Sequence, residues 1–183
     1  MALIIETGLI VAGAESYASV TDADTYHTNN GNTAWGTASN TAKEAALRKA
    51  CRYLDGKYRS RWKGRRVLPV VQVLEWPRGG VEAPSGAGSS GSYYYDTGFT
   101  GNVFYPSNSI PQRLKDAQCE LALRALDGDL ASDATIGVKR EKVDVLETEY
   151  FQGAVPGQTA FVGVEQLISD YLNPLGSTDL LRG

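Results

Sequence analysis

Apolar residues recur at the spacing of an amphipathic helix in two long stretches of this chain. The first stretch opens with Thr41 and Glu44, which match a capping box. One face of the predicted helix collects six apolar residues: Ala42, Ala46, Leu47, Ala50, Tyr53 and Leu54. Gly56 could mark the end of this helix, although the pattern also allows it to continue toward Trp62.

The second stretch, "IPQRLKDAQCELALRALDG", predicts the strongest helix of the chain. Pro111 stands at its first helical position, where a missing N–H is tolerated. Its apolar stripe consists of Leu114, Ala117, Leu121 and Ala125. Gly128 is the expected C-cap.

Two shorter helices are predicted near the ends of the chain. Thr21 and Asp24 resemble a capping box, and the helix that they open closes at Gly31. The last helix spans 164–174 and is stopped by Pro174.

Three segments read as extended or undecided. Residues 3–12 predict a strand that Gly13 ends. Residues 138–151 alternate as a strand whose phase changes near 145–146, which predicts a bulge. The segment 67–77 is either a short strand or an ordered loop, and its pattern does not separate the two.

Residues 78–109 are rich in Gly, Ser, Tyr and Asn, a composition that excludes a helix. The runs Tyr93–Tyr95 and Val103–Tyr105 suggest a β-hairpin in this segment. So long a stretch without a core predicts an excursion that packs on something else, such as a neighbouring subunit. The tail 174–183 lacks periodicity and is expected to be mobile or held by a partner.

Composition fits a single globular domain over 1–183, mainly α-helical, with peripheral strands and an extended C-terminal tail. The chain has 183 residues, 42% of them hydrophobic, and a net charge of -3. Its apolar runs are too short to span a bilayer. The start of the chain has no basic region and does not read as a signal peptide.

The residues that usually carry catalysis are scarce. His27 is the single histidine, and Cys51 and Cys119 lie in helical patterns typical of buried thiols in a reducing compartment. Asp129 and Asp133 could bind Mg²⁺, but loop acids are ordinarily solvated. Since no nucleophile or phosphate-binding motif is present either, we expect a protein that is not an enzyme and needs no cofactor or metal.

The segment 53–66 concentrates positive charge in a chain that is acidic overall. Its cations are Lys57, Arg59, Arg61, Lys63, Arg65 and Arg66. If this segment is extended, five of these side chains share one parity and could meet DNA phosphates, while Tyr58 and Trp62 point toward a core. If it is helical, the charges spread around the axis. The alternative is a solvated basic face that pairs with acids of another subunit.

Several unusual words occur in order along the chain: "GAESYASVTDADTYH", "RSRWKGRR", "LEWPRGGV", "IPQRLKDAQCELALRAL" and "VKREKVDVLETEYF". Together they resemble phage proteins labelled DnaT-like single-stranded-DNA-binding proteins, which look like head–tail connector (adaptor) proteins of tailed phages. The tyrosine-rich excursion after Val81 is longer than the turn expected there.

This resemblance implies a structural adaptor that forms a ring of 12 subunits below the portal. Such a ring would extend the channel for duplex genomic DNA and dock the tail or nozzle proteins. The protein would be assembled in the host cytoplasm and reside in the virion. The competing interpretation is a single-stranded-DNA-binding replication accessory protein, which would require Tyr58 and Trp62 to be exposed as stacking platforms.

Two sets of site residues follow from the adaptor interpretation. The six cations of 57–66 are expected to line the DNA channel. Eight apolar or aromatic residues are expected to contact a neighbouring subunit or partner: Tyr93, Tyr94, Tyr95, Phe99, Phe104, Tyr105, Leu180 and Leu181.

Overall fold

A computed structural model describes residues 2–84, 103–131, 140–143, 146–149 and 161–174. The described residues form α1 (Val20–Asn29), α2 (Thr33–Thr37), α3 (Asn40–Tyr58), α4 (Gln112–Asp127) and α5 (Val162–Ile168), which a 3-10 turn (Ser169–Tyr171) extends. Two antiparallel ribbons pair β1 (Arg65–Arg66) with β2 (Arg78–Gly79), and β3 (Arg140–Val143) with β4 (Leu146–Glu149). The predicted mainly α-helical class is confirmed.

The core lies where α3 and α4 pack against each other, with α5 on α4 and α1 against both long helices. This core includes Leu47 and Leu54 of α3 together with Leu114 and Leu121 of α4, and all four side chains are fully buried. Each buried leucine contributes about 2 kcal/mol. Within the described ranges, no helix has the length and apolar character needed to cross a membrane.

Both predicted helix starts are displaced by two residues, and a capping box forms only at the first of them. Helix α1 begins after Ser19, whose side chain accepts the N–H of Asp22 while the Asp22 carboxylate accepts the N–H of Ser19. Helix α3 begins after Ser39, which accepts the N–H of Ala42. A serine and a threonine are close in sequence at both helix starts. The first residue of each helix therefore depends on which of the two hydroxyls accepts the free N–H groups of the first turn.

The predicted strand over 3–12 is wrong, because the segment is a loop with a single bridge from Ile5 to Ser16. The buried Glu6 carboxylate accepts the N–H groups of Gly8, Ile10 and Val11 at 2.8–3.0 Å. A carboxylate that gathers three local N–H groups competes with strand pairing and curls the chain around itself.

The single strand predicted over 138–151 is wrong, because its described residues form two strands that pair antiparallel. β3 and β4 pair with Val143 opposite Leu146. The undecided segment 67–77 is an ordered loop. The last helix ends at Ile168, and the chain continues through the 3-10 turn toward Pro174.

Candidate nucleic-acid interface

The basic run 57–66 changes conformation along its length. Lys57 lies in the last turn of α3, and the chain then turns before it becomes extended. Trp62 bridges Leu172, with backbone hydrogen bonds that join 61–63 to 171–173. Arg65 and Arg66 then form β1. The run is therefore neither the single extended edge nor the single helix that the sequence offered as alternatives.

Arg59 and Arg65 carry the accessible charge of this run. The Arg59 side chain is 72% exposed and its Nε lies 3.4 Å from Glu75 Oε1. Arg65 is exposed, and its guanidinium makes no hydrogen bond or ion pair with any described residue. Because a guanidinium has five N–H donors, both arginines retain donors that can reach a phosphate.

Each of the other cations of the run donates at least one hydrogen bond to a group of this chain. Lys63 Nζ donates to the backbone oxygen of Asp170 at 2.9 Å, and Arg61 Nε donates to that of Asn173 at 3.4 Å. Arg66 donates to the backbone oxygen of Gln72. Lys57 donates to the Tyr53 hydroxyl and lies 5.3 Å from the centre of that ring. These contacts fasten the run to neighbouring segments.

Arg78, the partner of Arg66 across the β1–β2 ribbon, is buried beneath the run. Its guanidinium donates to the carbonyls of Lys63 at 2.8 Å and Gly64 at 2.9 Å. It also forms an ion pair with Glu75 at 3.0 Å. Burial lowers the pKa of Arg78 by desolvation, while the Glu75 carboxylate opposes that effect. Arg78 therefore holds the backbone from which Arg65 projects.

Asp55 fastens the loop that carries Glu75 and Arg78 to helix α3. Its carboxylate accepts the Tyr17 hydroxyl at 2.5 Å and the N–H of Glu75 at 3.0 Å. The Tyr17 oxygen in turn accepts the N–H of Trp76 at 3.2 Å. Burial raises the pKa of Asp55 to about 6, because these hydrogen bonds only partly offset desolvation.

Tyr58 and Trp62 are buried in the core, so neither can stack on a base. Their rings begin an edge-to-face cluster that continues through Trp76, Tyr171 and Tyr105, with centroids 5.0–6.0 Å apart. The sequence predicted that these two aromatics face a core if the run is extended; both are buried, although Tyr58 lies at the end of α3 and the run is not a single extended strand. The condition that we set for stacking on Tyr58 and Trp62 is not met.

Of the eight residues expected at a subunit contact, two are described. Phe104 is 54% exposed, whereas Tyr105 is half-buried against Tyr171. The remaining six lie outside the described residues: Tyr93, Tyr94, Tyr95, Phe99, Leu180 and Leu181. Their role stays a prediction.

The histidine and the two cysteines are buried, whereas Asp129 is exposed beside Lys49 and Asp133 lies outside the described residues. His27 Nε2 donates to the backbone oxygen of Cys119 and its Nδ1 accepts the Asn32 amide, both at 3.1 Å, and burial lowers its pKa. Cys51 and Cys119 are buried free thiols, and burial raises the pKa of Cys119 to about 12. Among the residues with described side chains, no cluster of three or more His, Cys, Asp or Glu could hold a metal.

The fold is thus a mainly helical body with a locally basic ribbon on one side. The family described as "Putative DnaT-like ssDNA binding protein" matches the chain over residues 1–92 and 93–183. The chain belongs to this DnaT-like family. Neither a curated protein nor a solved structure matches it at a significant level.

The predicted head–tail adaptor is wrong, because the family finding concerns single-stranded DNA and nothing points to a phage connector. The partners predicted for the adaptor are wrong for the same reason. They are the portal, the tail or nozzle proteins, the other subunits of a 12-subunit ring and the duplex DNA of its channel. The words that suggested the adaptor, such as "LEWPRGGV", place Trp76 and Arg78 inside the molecule. Sequence motifs of this kind reflect the packing of the fold and do not identify a binding partner. The family finding favours the alternative of single-stranded-DNA binding.

Proposed function

We propose that this chain is an accessory protein that binds single-stranded DNA through its phosphates, on the surface formed by Arg59, Lys63 and Arg65. The observation that carries the proposal is the pair of exposed arginines in a DnaT-like chain, one of them without any described partner. Arginine donors match phosphate geometry and read no sequence.

The local concentration of positive charge explains how a chain that is acidic overall could bind DNA. The chain carries a net charge of -3, so its average surface repels a nucleic acid. The basic run holds six cations and one acid within 53–66, which gives DNA one favourable place to bind. Binding of this kind is expected to weaken steeply with salt, because the cations release counterions from the strand.

Fluorescence anisotropy with a labelled oligodeoxythymidine tests the proposal. The double variant Arg59→Ala/Arg65→Ala is compared with Lys49→Ala/Arg124→Ala, which removes the same charge from exposed positions on α3 and α4. Loss of two phosphate contacts should make the slope of log affinity against log salt shallower by about 1.4. A wild-type chain that binds no single strand, or equal slopes in the two variants, would refute it.

The expectation that the chain is not an enzyme and the expectation of a virion location both stay predictions, since no observation tests either.

A further inference from the structure

Phe104 is the one aromatic residue with a largely exposed side chain among those the structure describes. Proteins that bind single strands commonly combine phosphate contacts with aromatic rings on which bases stack. Since Tyr58 and Trp62 are buried, a stacking platform on this chain has to be sought elsewhere. Phe104 has the required exposure.

The backbone around Phe104 is held in place. The N–H of Ala83 donates to the carbonyl of Val103 at 2.7 Å, and the N–H of Tyr105 donates to that of Val81 at 2.9 Å. The next residue, Tyr105, packs its ring on Tyr171 with centroids 5.0 Å apart. The exposed ring of Phe104 therefore stands on a fixed extended segment anchored in the aromatic core.

Glu82 lies directly opposite Phe104 in this antiparallel pairing. The two backbone hydrogen bonds lie on either side of the pair, so Glu82 and Phe104 form a non-hydrogen-bonded pair. In such a pair the two side chains lie close together on the same face. The Glu82 carboxylate is exposed and has no partner among the described residues. An acceptor thus stands beside an exposed ring.

A surface hollow of about 390 Å³ lies beside this pair, and of the two residues only Glu82 lines it. Its lining consists of Lys63, Glu82, Ala83, Pro84, Ser169 and Asp170. Lys63 uses one ammonium donor on the Asp170 carbonyl, which leaves two further donors. Arg65, with its open guanidinium, is two residues farther along the chain. The lining of the hollow therefore combines one lysine, close in sequence to the proposed phosphate surface, with the Glu82 carboxylate as an acceptor, while the Asp170 carboxylate is paired with Arg113 at 2.8 Å.

We infer that one nucleotide of the bound strand binds at the edge of this hollow, with its base stacked on Phe104 beside Glu82, its exocyclic amino group donating to Glu82 and its phosphate on Lys63. The inference rests on the proposed single-stranded-DNA binding and adds a base preference to it. Cytosine and adenine present an amino group to a carboxylate, whereas thymine presents the acceptor O4 at the same place. Deoxycytidine strands should therefore bind more tightly than deoxythymidine strands.

The test measures anisotropy with labelled oligodeoxycytidine and oligodeoxythymidine of equal length at neutral pH, using the full chain. The wild-type protein should prefer the cytosine strand by about threefold to tenfold. Glu82→Ala should abolish this preference, whereas Asp127→Ala, which removes an exposed acid at the end of α4, should preserve it. The ratio of the two affinities is insensitive to a partial loss of folded protein.

Phe104→Ala should weaken both strands about tenfold. Its neighbour Val103 is 44% exposed and serves as the matched control, because Val103→Ala removes apolar surface without a ring. Equal binding by these two variants would overturn the stacking assignment. A cytosine preference that is absent, or that survives in Glu82→Ala, would overturn the role of Glu82.

These failures are distinguishable from failure of the proposed function. If the arginine variants still lose salt dependence while the Phe104 and Glu82 variants behave as wild type, phosphate binding stands and the nucleotide hollow is refuted. If the wild-type chain binds neither strand, the proposed function fails and the hollow with it.

Discussion

Arg78 and Glu75 form a buried ion pair, 3.0 Å apart, in which each side chain is only 9% exposed. The pair lies under the basic run, and Arg78 uses its remaining donors on the carbonyls of Lys63 and Gly64. Arg59 reaches the other oxygen of the same carboxylate from the surface. The buried Arg78 and the exposed Arg59 thus share the Glu75 carboxylate. The arrangement of the basic surface therefore depends on a buried charge.

Substitution of Arg78 should lower the stability of the protein more than any other single substitution in the β1–β2 ribbon. Arg78→Ala leaves the buried Glu75 carboxylate with the exposed Arg59 as its one cation among the described residues and leaves two carbonyls without their donor, so we expect the free energy of unfolding to fall by about 3–5 kcal/mol. Arg78→Lys keeps the charge but lacks the fork, and should lose about half as much. Urea denaturation measures both. Arg65→Ala, an exposed control, should stay within about 0.5 kcal/mol of wild type, and a similar loss there would contradict this account.

Gly64 occupies a position in the ribbon that a side chain cannot enter. Its φ is +65°, and a Cβ at this residue would lie 2.3 Å from the backbone oxygen of Gly79. We expect Gly64→Ala to lower stability by about 3 kcal/mol, from backbone strain together with separation of β1 from β2.

Gly31 offers the matched control for that substitution. Its φ is +69°, but a Cβ there would meet no atom within 4 Å. Gly31→Ala should therefore lose only the strain of the left-handed conformation, about 1 kcal/mol. Thermal and urea unfolding of the two variants separate the clash from the strain, and equal losses would show that β2 moves aside without penalty.

The carboxyl of Asp55 should make stability fall as pH rises. Its pKa is 3.8 ordinarily and about 6 in the folded chain, because burial disfavours the charged form. Between these values the folded state binds more protons than the unfolded state, so this group's contribution is fully present below about pH 4 and lost above about pH 6. The loss corresponds to about 3 kcal/mol.

Comparison with Asp55→Asn isolates this effect. Asparagine binds no proton, and the titration of other groups cancels in the difference between the two proteins. Urea unfolding across the acidic range should give a difference in free energy that changes through the window between the two pKa values. A difference that is constant with pH would show that the Tyr17 and Glu75 hydrogen bonds keep Asp55 charged at its ordinary pKa.

Gln118 is a buried junction between α4, α3 and the segment before α1. Its Oε1 accepts the N–H groups of Tyr17 and Ala18 at 3.0 Å, and its Nε2 donates to the Leu47 carbonyl at 2.9 Å. Gln118→Leu leaves these groups buried and unpaired, so we expect a loss of about 3 kcal/mol or more in unfolding free energy.

Gln112, in the first turn of the same helix, is the control for this change. It is exposed and, among the described residues, bonds only Asp116. Gln112→Leu should change stability by less than about 0.5 kcal/mol. If both leucine variants unfold at the same denaturant concentration, the polar junction contributes nothing that packing does not replace.

Local pattern alone was sufficient for the long helices. The stripe of Leu114, Ala117, Leu121 and Ala125 is buried as predicted, because helical periodicity records which side faces a core. Gly128 ends α4 as expected. Apolar spacing predicts this burial because residues at helical spacing lie on the same side of their helix.

Only the tertiary structure decided which polar residues became structural. Gln118 bonds a residue 101 positions away, and no local pattern distinguishes it from Gln112. Six cations look alike in the run 57–66, yet the fold ties Lys63 to the 3-10 turn, leaves Arg65 open, and buries Arg78 beneath them. Hydrogen bonds between distant segments depend on where those segments meet, and that meeting is set by packing of the whole chain. The sequence determined where the charge is concentrated, and the tertiary contacts determined which charges remain to bind a partner.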